Sequence, residues 1–179
     1  MSIPPPSTLI VLLALTLAQR PPATPPTAGW TVEPDGRASR PIPDPQGAAQ
    51  LVVPPRCRQA RCALVIVSHG RGGQALDGVT HPPFDTLVDA IDVQGYVLLL
   101  SNDGGRETWG SPGALAYIKR VYQAARPHYQ GNGRLYTLGI SMGGLPATLT
   151  AYRQTLGVPV QATALVAGRV KDRKSTRLN

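Results

Sequence analysis

Four strand-like segments, each separated from the next by a turn and a helix-like stretch, are the feature that most restricts the fold of this chain. They are rich in leucine and β-branched residues, and they cover residues 63–68 (ALVIVS), 96–101 (YVLLLS), 134–140 (RLYTLGI) and 160–168 (VQATALVAG). The unbroken apolar run at residues 63–68 is typical of a strand that is buried on both faces of a parallel sheet, and residues 96–101 indicate another buried strand. A shorter strand is predicted at residues 49–54.

Helical patterns occupy the intervals between these runs. Residues 84–95 place apolar side chains at helical spacing and end at a glycine, which is a common helix stop. A second helix is predicted from Ser111–Pro112, where serine can cap and proline can occupy the first position, to about residue 125, and a third follows residue 141. Strands that alternate with helices predict an α/β fold class, with a mostly parallel open sheet and helices on both faces.

The segment Gly139-Ile140-Ser141-Met142-Gly143 lies where the 134–140 strand should pass into a helix. Its G-x-S-x-G spacing is typical of a sharp strand-to-helix turn that presents a serine hydroxyl, because larger side chains at the two glycines would collide with neighbouring backbone. The helix N-terminus there favours developing negative charge. We therefore predict that Ser141 is a nucleophile.

A second glycine-rich segment, SHGRGG (68–73), follows the 63–68 strand. The two segments in this order resemble the α/β-hydrolase fold family over about residues 49–168. The resemblance implies an oxyanion hole built from the Met142 N–H and an N–H from Arg71 or Gly72. It also implies that His69 and Gly70 support the loop, and that His69 is not the catalytic base.

The stretch ETWGSPGALAYIKRVYQ (107–123) is similar to one branch of these hydrolases that carries a Trp-Gly-Asn-Pro-like sequence, here with Ser111 in place of the asparagine. By this resemblance Trp109 could line the substrate pocket; the alternative is that it packs at the start of the helix. Asp103 also follows a strand end, but on the wrong strand for the acid of a catalytic triad.

A serine nucleophile needs a base within hydrogen-bonding reach and a carboxylate that orients the base. No histidine follows Ser141, and Asp172 is the one acidic residue after it. A base would have to come from elsewhere, such as His81, or from another chain. The resemblance implies that the acid and histidine follow the strand that ends at Gly168, so we expect a truncated, largely inactive fragment whose residues 169–179 are foreign or disordered.

The N-terminal residues predict export. Residues 1–18 contain an apolar core that is too short to span a bilayer and fits a signal peptide. A proline-rich linker is predicted at residues 19–48, with the folded domain starting near Ala49. The location would be secreted or periplasmic, with no stable membrane span after cleavage. Cys57 and Cys62 could form a disulfide there or remain as two free thiols.

Charge and ligand chemistry narrow the function classes. The formal net charge is +8, but five basic residues and one acidic residue of the last eleven account for half of it, so no nucleic-acid partner is expected. No metal or cofactor is implied. The expected activity is carboxylic-ester hydrolysis through an acyl-enzyme on Ser141, with a small-molecule or polymer ester as substrate. The alternatives are a peptidase or thioesterase of the same fold and a catalytically dead secreted binding module. The oligomeric state is not predicted.

Overall fold

The computed structural model describes residues 29–167, which form one seven-stranded sheet. The strands are β1 (Thr31–Val32), β2 (Ala38–Ile42), β3 (Ala49–Val53), β4 (Cys62–Ser68), β5 (Val97–Ser101), β6 (Gly131–Ile140) and β7 (Ala162–Val166). Their order in the sheet is β1-β2-β3-β5-β4-β6-β7. Strands β5, β4, β6 and β7 pair in parallel, while β1, β2 and β3 join through antiparallel pairings. The predicted open, mostly parallel α/β sheet is therefore confirmed.

The helices connect the parallel strands close to where the sequence predicts them. They are the single turn α1 (Asp77–Thr80), α2 (Phe84–Val93), α3 (Pro112–Ala125) and α4 (Gly144–Tyr152). The start of α3 shows why the sequence folds in this way. The Ser111 hydroxyl accepts a hydrogen bond from the Ala114 N–H at 3.2 Å, and Pro112 occupies the first turn, where no N–H donor is needed.

Alternate residues of the central strands feed two apolar cores, one on each face of the sheet. Leu64 and Ile66 face the core that α3 covers, whereas Val65 and Val67 face the core that contains Val88 of α2. Burial on both faces explains why β4 and β5 are continuously apolar in sequence. Helices therefore lie on both faces of the sheet.

Strand β7 lies at the edge of the described sheet and pairs with β6 alone among residues 29–167. We predicted a strand at residues 160–168, and the structure confirms it as Ala162–Val166. Leu165 and Val166 are 43% and 39% exposed because no described element covers the outer side of β7.

The predicted linker extends too far. Residues 31–42, which we assigned to a poorly packed proline-rich segment, form β1 and β2, and Ala38 and Ile42 are buried. Pro41 is tolerated because β2 lies near the antiparallel edge of the sheet, where a missing donor costs little. The predicted signal peptide (1–18), the first part of the linker and the tail (169–179) lie outside the described residues.

Candidate active site

Ser141 is the first residue after β6 and lies in a tight turn that leads directly into α4. A single 3₁₀ turn spans Ser141–Gly143, and α4 begins at Gly144. The serine has φ = +51°, in the left-handed region that non-glycine residues rarely adopt. Such a conformation is found where the surrounding structure holds a functional side chain in place. The side chain is half-buried, and its hydroxyl makes no side-chain hydrogen bond to residues 29–167.

The two glycines that flank Ser141 are required by close backbone contacts. A Cβ atom on Gly143 would lie 2.6 Å from the His69 carbonyl oxygen and closer still to the Ser68 carbonyl oxygen. A Cβ atom on Gly139 would lie 2.6 Å from the Gly144 nitrogen. The G-x-S-x-G spacing therefore reflects the packing of the turn against the end of β4 and the start of α4.

The residues predicted to supply the oxyanion hole lie in this turn and in the loop that lines the same cavity as Ser141. Met142 is in the first turn of the helical segment, where N–H groups have no partner within the helix. The Gly72 N–H donates to the Arg106 carbonyl oxygen at 2.9 Å, so it is already used. The Arg71 N–H makes no backbone hydrogen bond within the described part of the chain. Of the two residues predicted for the second donor, the structure favours Arg71.

His69 bridges two loops at the carboxyl edge of the sheet. Its Nδ1 atom lies 2.6 Å from the Gly70 carbonyl oxygen, and its Nε2 atom lies 3.1 Å from the Asn102 carbonyl oxygen. The ring is buried. Since both ring nitrogens contact backbone carbonyls, this geometry supports the supporting role implied for His69 and not the role of a base.

A buried carboxyl group that sequence reasoning set aside lies beneath the same edge. Asp103 is completely buried, and its Oδ1 atom accepts hydrogen bonds from the hydroxyls of Ser101 at 2.6 Å and Ser68 at 3.0 Å. Its Oδ2 atom has no hydrogen-bond partner among residues 29–167. Burial raises the pKa of Asp103 to about 6, although His69 and the two serine hydroxyls act in the opposite direction. The sequence feature that could have indicated this buried carboxyl is a serine at the end of each of two adjacent strands, Ser68 of β4 and Ser101 of β5.

Ser141 opens onto a cavity of about 490 Å³. Apolar side chains from β4, β5, β6 and α2 form part of its wall: Val67, Leu100, Ile140 and Phe84. The glycine-rich loop 69–73 forms another part, and the polar residues Gln74, Asp77 and His81 also line it. An apolar cavity with a few polar groups next to a nucleophile is the usual form of a small-molecule site.

Trp109 does not line this cavity. Its neighbour Gly110 packs against α4, since a Cβ atom there would lie 2.9 Å from Leu149 and 3.2 Å from Leu145. Gly110 therefore lies against α4. Packing of Trp109 at the start of the helix, the alternative we left open, stays a prediction.

The structure also bears on the cysteines, on potential metal ligands and on membrane-spanning helices. Cys57 and Cys62 form a disulfide. Among residues 29–167, no cluster of three or more potential metal ligands is found. Within the same range, no helix is both long and apolar enough to cross a membrane.

No protein-family model matches the sequence, and no curated protein is similar to it. Solved structures do match. The Staphylococcus aureus fluorophosphonate-binding serine hydrolase FphF, with substrate bound, aligns with a TM-score of 0.63 and 13% identity over 82% of this chain and 62% of that chain. An S-formylglutathione hydrolase from Agrobacterium tumefaciens aligns with a TM-score of 0.57 and 12% identity over 79% of this chain and 61% of that chain. A bacterial heroin esterase aligns with a TM-score of 0.52 and 17% identity over 83% of this chain and 48% of that chain.

This chain therefore spans about three fifths of the length of the first two neighbours. The similarities rest on the arrangement of the backbone, since the identities are only 12–17%. The chain has the α/β-hydrolase fold.

Proposed function

We propose that this chain is part of a serine hydrolase that cleaves carboxylic esters by acyl transfer, with Ser141 as the nucleophile. The observation that carries the proposal is the conformation of Ser141. It has φ = +51° at the end of a buried strand, the start of a helix lies directly behind it, and a mostly apolar cavity lies in front of it. Structural neighbours that are serine hydrolases and esterases support the same reaction class.

In the proposed reaction the Ser141 hydroxyl attacks the ester carbonyl carbon and transfers its proton to a base. The N–H groups of Met142 and Arg71 stabilise the negative charge that develops on the carbonyl oxygen. The alcohol leaves as the tetrahedral intermediate collapses, and water then hydrolyses the acyl-enzyme.

We propose that the base and its carboxylate lie in a further segment, which corresponds to the part of the neighbours that this chain does not cover. His69 is engaged by two carbonyl oxygens, and His128 contacts Arg40 at 3.1 Å, near the start of β6 and so at the other end of that strand from Ser141. His81, which the sequence offered as a base, lines the cavity, but no hydrogen bond joins it to Ser141 among residues 29–167. Without a base the chain should turn over esters poorly, since loss of the triad base costs on the order of 10⁴-fold or more.

Labelling with a fluorophosphonate probe tests this proposal, because the serine oxygen of a reactive nucleophile displaces fluoride from the probe and is phosphonylated. We expect slow but specific labelling that mass spectrometry locates at Ser141. The variant Ser141→Ala should not be labelled, while Ser111→Ala, which changes a helix-capping serine, should label as the wild type does. Labelling that persists in Ser141→Ala would contradict the proposal. Complete absence of labelling would favour a binding module.

Export to a secreted or periplasmic location is also proposed. The disulfide between Cys57 and Cys62 supports it, because disulfides persist in oxidising compartments and are rare in the cytosol.

A further inference from the structure

Two residues that line the Ser141 cavity, Asp77 and His81, are not used in the acyl transfer proposed above. Asp77 begins the single turn α1, and His81 directly follows that turn. Both line the same cavity as Ser141. The His81 side chain is 66% exposed, whereas that of Asp77 is 24% exposed.

The hydrogen bonds on one side of the His81 ring determine which nitrogen carries the proton in the neutral form. The Thr80 hydroxyl donates its only hydrogen to the Leu76 carbonyl oxygen at 3.0 Å, and Thr80 Oγ1 lies 2.8 Å from His81 Nδ1. The hydroxyl oxygen must therefore accept from Nδ1. Asp77 Oδ1, 3.5 Å from Nδ1, also favours a hydrogen at that atom.

With the hydrogen at Nδ1, the Nε2 atom of neutral His81 carries a lone pair. Nε2 makes no hydrogen bond to residues 29–167, so it is free to accept one from a ligand. Asp77 is held in place because its Oδ2 atom accepts the Gln74 N–H at 2.8 Å. The orientation of the pair is thus set before any ligand binds.

The charged groups near the pair do not change this assignment. Arg71, on the loop that also lines the cavity, pairs with Glu107 at 3.2 Å. Asp85, in the first turn of α2, accepts the Thr86 N–H at 2.6 Å. Asp77 is therefore the carboxylate in contact with the ring.

We propose that His81 Nε2 accepts a hydrogen bond from a hydroxyl group of the substrate, so that the cavity favours esters that carry a hydroxyl group. The inference rests on the proposed function, which places an ester in this cavity. An acceptor such as Nε2 selects a ligand that donates, and the mostly apolar wall disfavours a charged donor such as an ammonium group. His81 is then a specificity-determining residue, with Asp77 and Thr80 as positioning residues.

The experiment measures binding in the Ser141→Ala chain, which cannot cleave the ligand. The probes are ethyl hexanoate and four hydroxyl-bearing relatives, namely ethyl 3-hydroxyhexanoate, ethyl 6-hydroxyhexanoate, 2-hydroxyethyl hexanoate and 4-hydroxybutyl hexanoate. Nitrogen-15 NMR of the His81 ring follows each titration and also reports the tautomer. We expect the Nδ1–H tautomer, and at least one hydroxy ester should bind about three- to tenfold more tightly than ethyl hexanoate, the gain of one hydrogen bond.

Three variants in the Ser141→Ala background complete the test. His81→Leu should abolish the hydroxyl preference, His81→Gln should retain part of it because the amide oxygen accepts, and the distant His128→Leu should leave it unchanged. Because His81 is exposed, none of these changes at position 81 should affect folding. The proposal is overturned if no hydroxy ester is preferred, if the preference survives His81→Leu, or if ethyl 6-aminohexanoate shows a larger His81-dependent gain than ethyl 6-hydroxyhexanoate.

This outcome is independent of the labelling of Ser141. A hydroxyl preference that depends on His81 can stand when labelling fails, and Ser141 can be labelled when no preference exists. Failure of the further inference and failure of the proposed function are therefore distinguishable.

Discussion

The substitution Asp103→Asn should stabilise the protein at neutral pH and remove part of its pH dependence. Asp103 is fully buried, with one carboxyl oxygen that accepts two serine hydroxyls and a second oxygen that has no partner among residues 29–167. Asparagine has the same shape, accepts the same hydroxyl hydrogen bonds and tolerates the observed φ of +49°. The substitution therefore removes the charge with little change in packing.

The magnitude follows from the pKa of Asp103, which burial raises from 3.8 to about 6. Between about pH 4 and pH 6 the folded protein holds this proton while the unfolded chain has released it. The free energy of unfolding of the wild type therefore falls as pH rises through this window. A shift of about 2 pKa units corresponds to about 3 kcal/mol. The stability of the variant relative to the wild type should increase by that amount from about pH 4 to about pH 7.5.

Urea denaturation of both proteins at several pH values measures this difference. Glu33→Gln, at an exposed position, is the control and should show no comparable trend. A difference between Asp103→Asn and wild type that stays constant with pH would refute the argument from burial. A difference that falls with pH would show that attraction to His69 outweighs burial, since that interaction favours the ionised carboxylate.

Two further predictions concern the turn at Ser141 and the disulfide at the start of β4. Gly143→Ala should destabilise the protein by about 3 kcal/mol or more and abolish labelling by the fluorophosphonate, because the new methyl group would overlap the Ser68 carbonyl oxygen. Thermal denaturation measures the loss of stability. The control is Gly113→Ala, which should be neutral or stabilising because its methyl group meets one atom at 3.8 Å. Replacement of Cys57 and Cys62 by alanine should lower the free energy of unfolding by about 2 kcal/mol, because the disulfide reduces the conformational entropy of the unfolded chain by closing a short loop. Reducing agent should have the same effect on the wild type and no effect on the variant. Full stability of either the glycine or the cysteine variant would contradict its prediction.

The parts of the fold that the sequence predicts well are those where local rules and tertiary packing agree. The bounds of β4, β5 and α3 differ from the predicted ones by a residue or less, because continuous apolar runs and the Ser111–Pro112 cap leave few alternatives. The turn at Ser141 is predictable for a similar reason. Both of its glycines lie against backbone atoms that any chain with this strand order would place there.

The failures come from contacts that no local pattern encodes. β2 was missed because proline dominated the interpretation, although Ala38 and Ile42 alternate in the manner of a half-buried strand. The hydrogen bond from the Gly72 N–H to the Arg106 carbonyl oxygen was not predictable because it joins two loops that are distant in sequence. The same is true of Asp77 and His81, whose position in the cavity depends on how the loop after β4 and α1 pack over the sheet.

The order of strands explains why the loop after β4 controls so much of the site. Since β4 lies between β5 and β6, the residues that follow it contact the ends of both neighbours. On one side His69 reaches the Asn102 carbonyl oxygen, and on the other the carbonyl oxygens of Ser68 and His69 leave room at position 143 for glycine alone. The Ser68 side chain also binds Asp103. The buried carboxyl and the turn that carries Ser141 thus meet at one residue, so the charge state of the first acts on the strand end against which the second is packed.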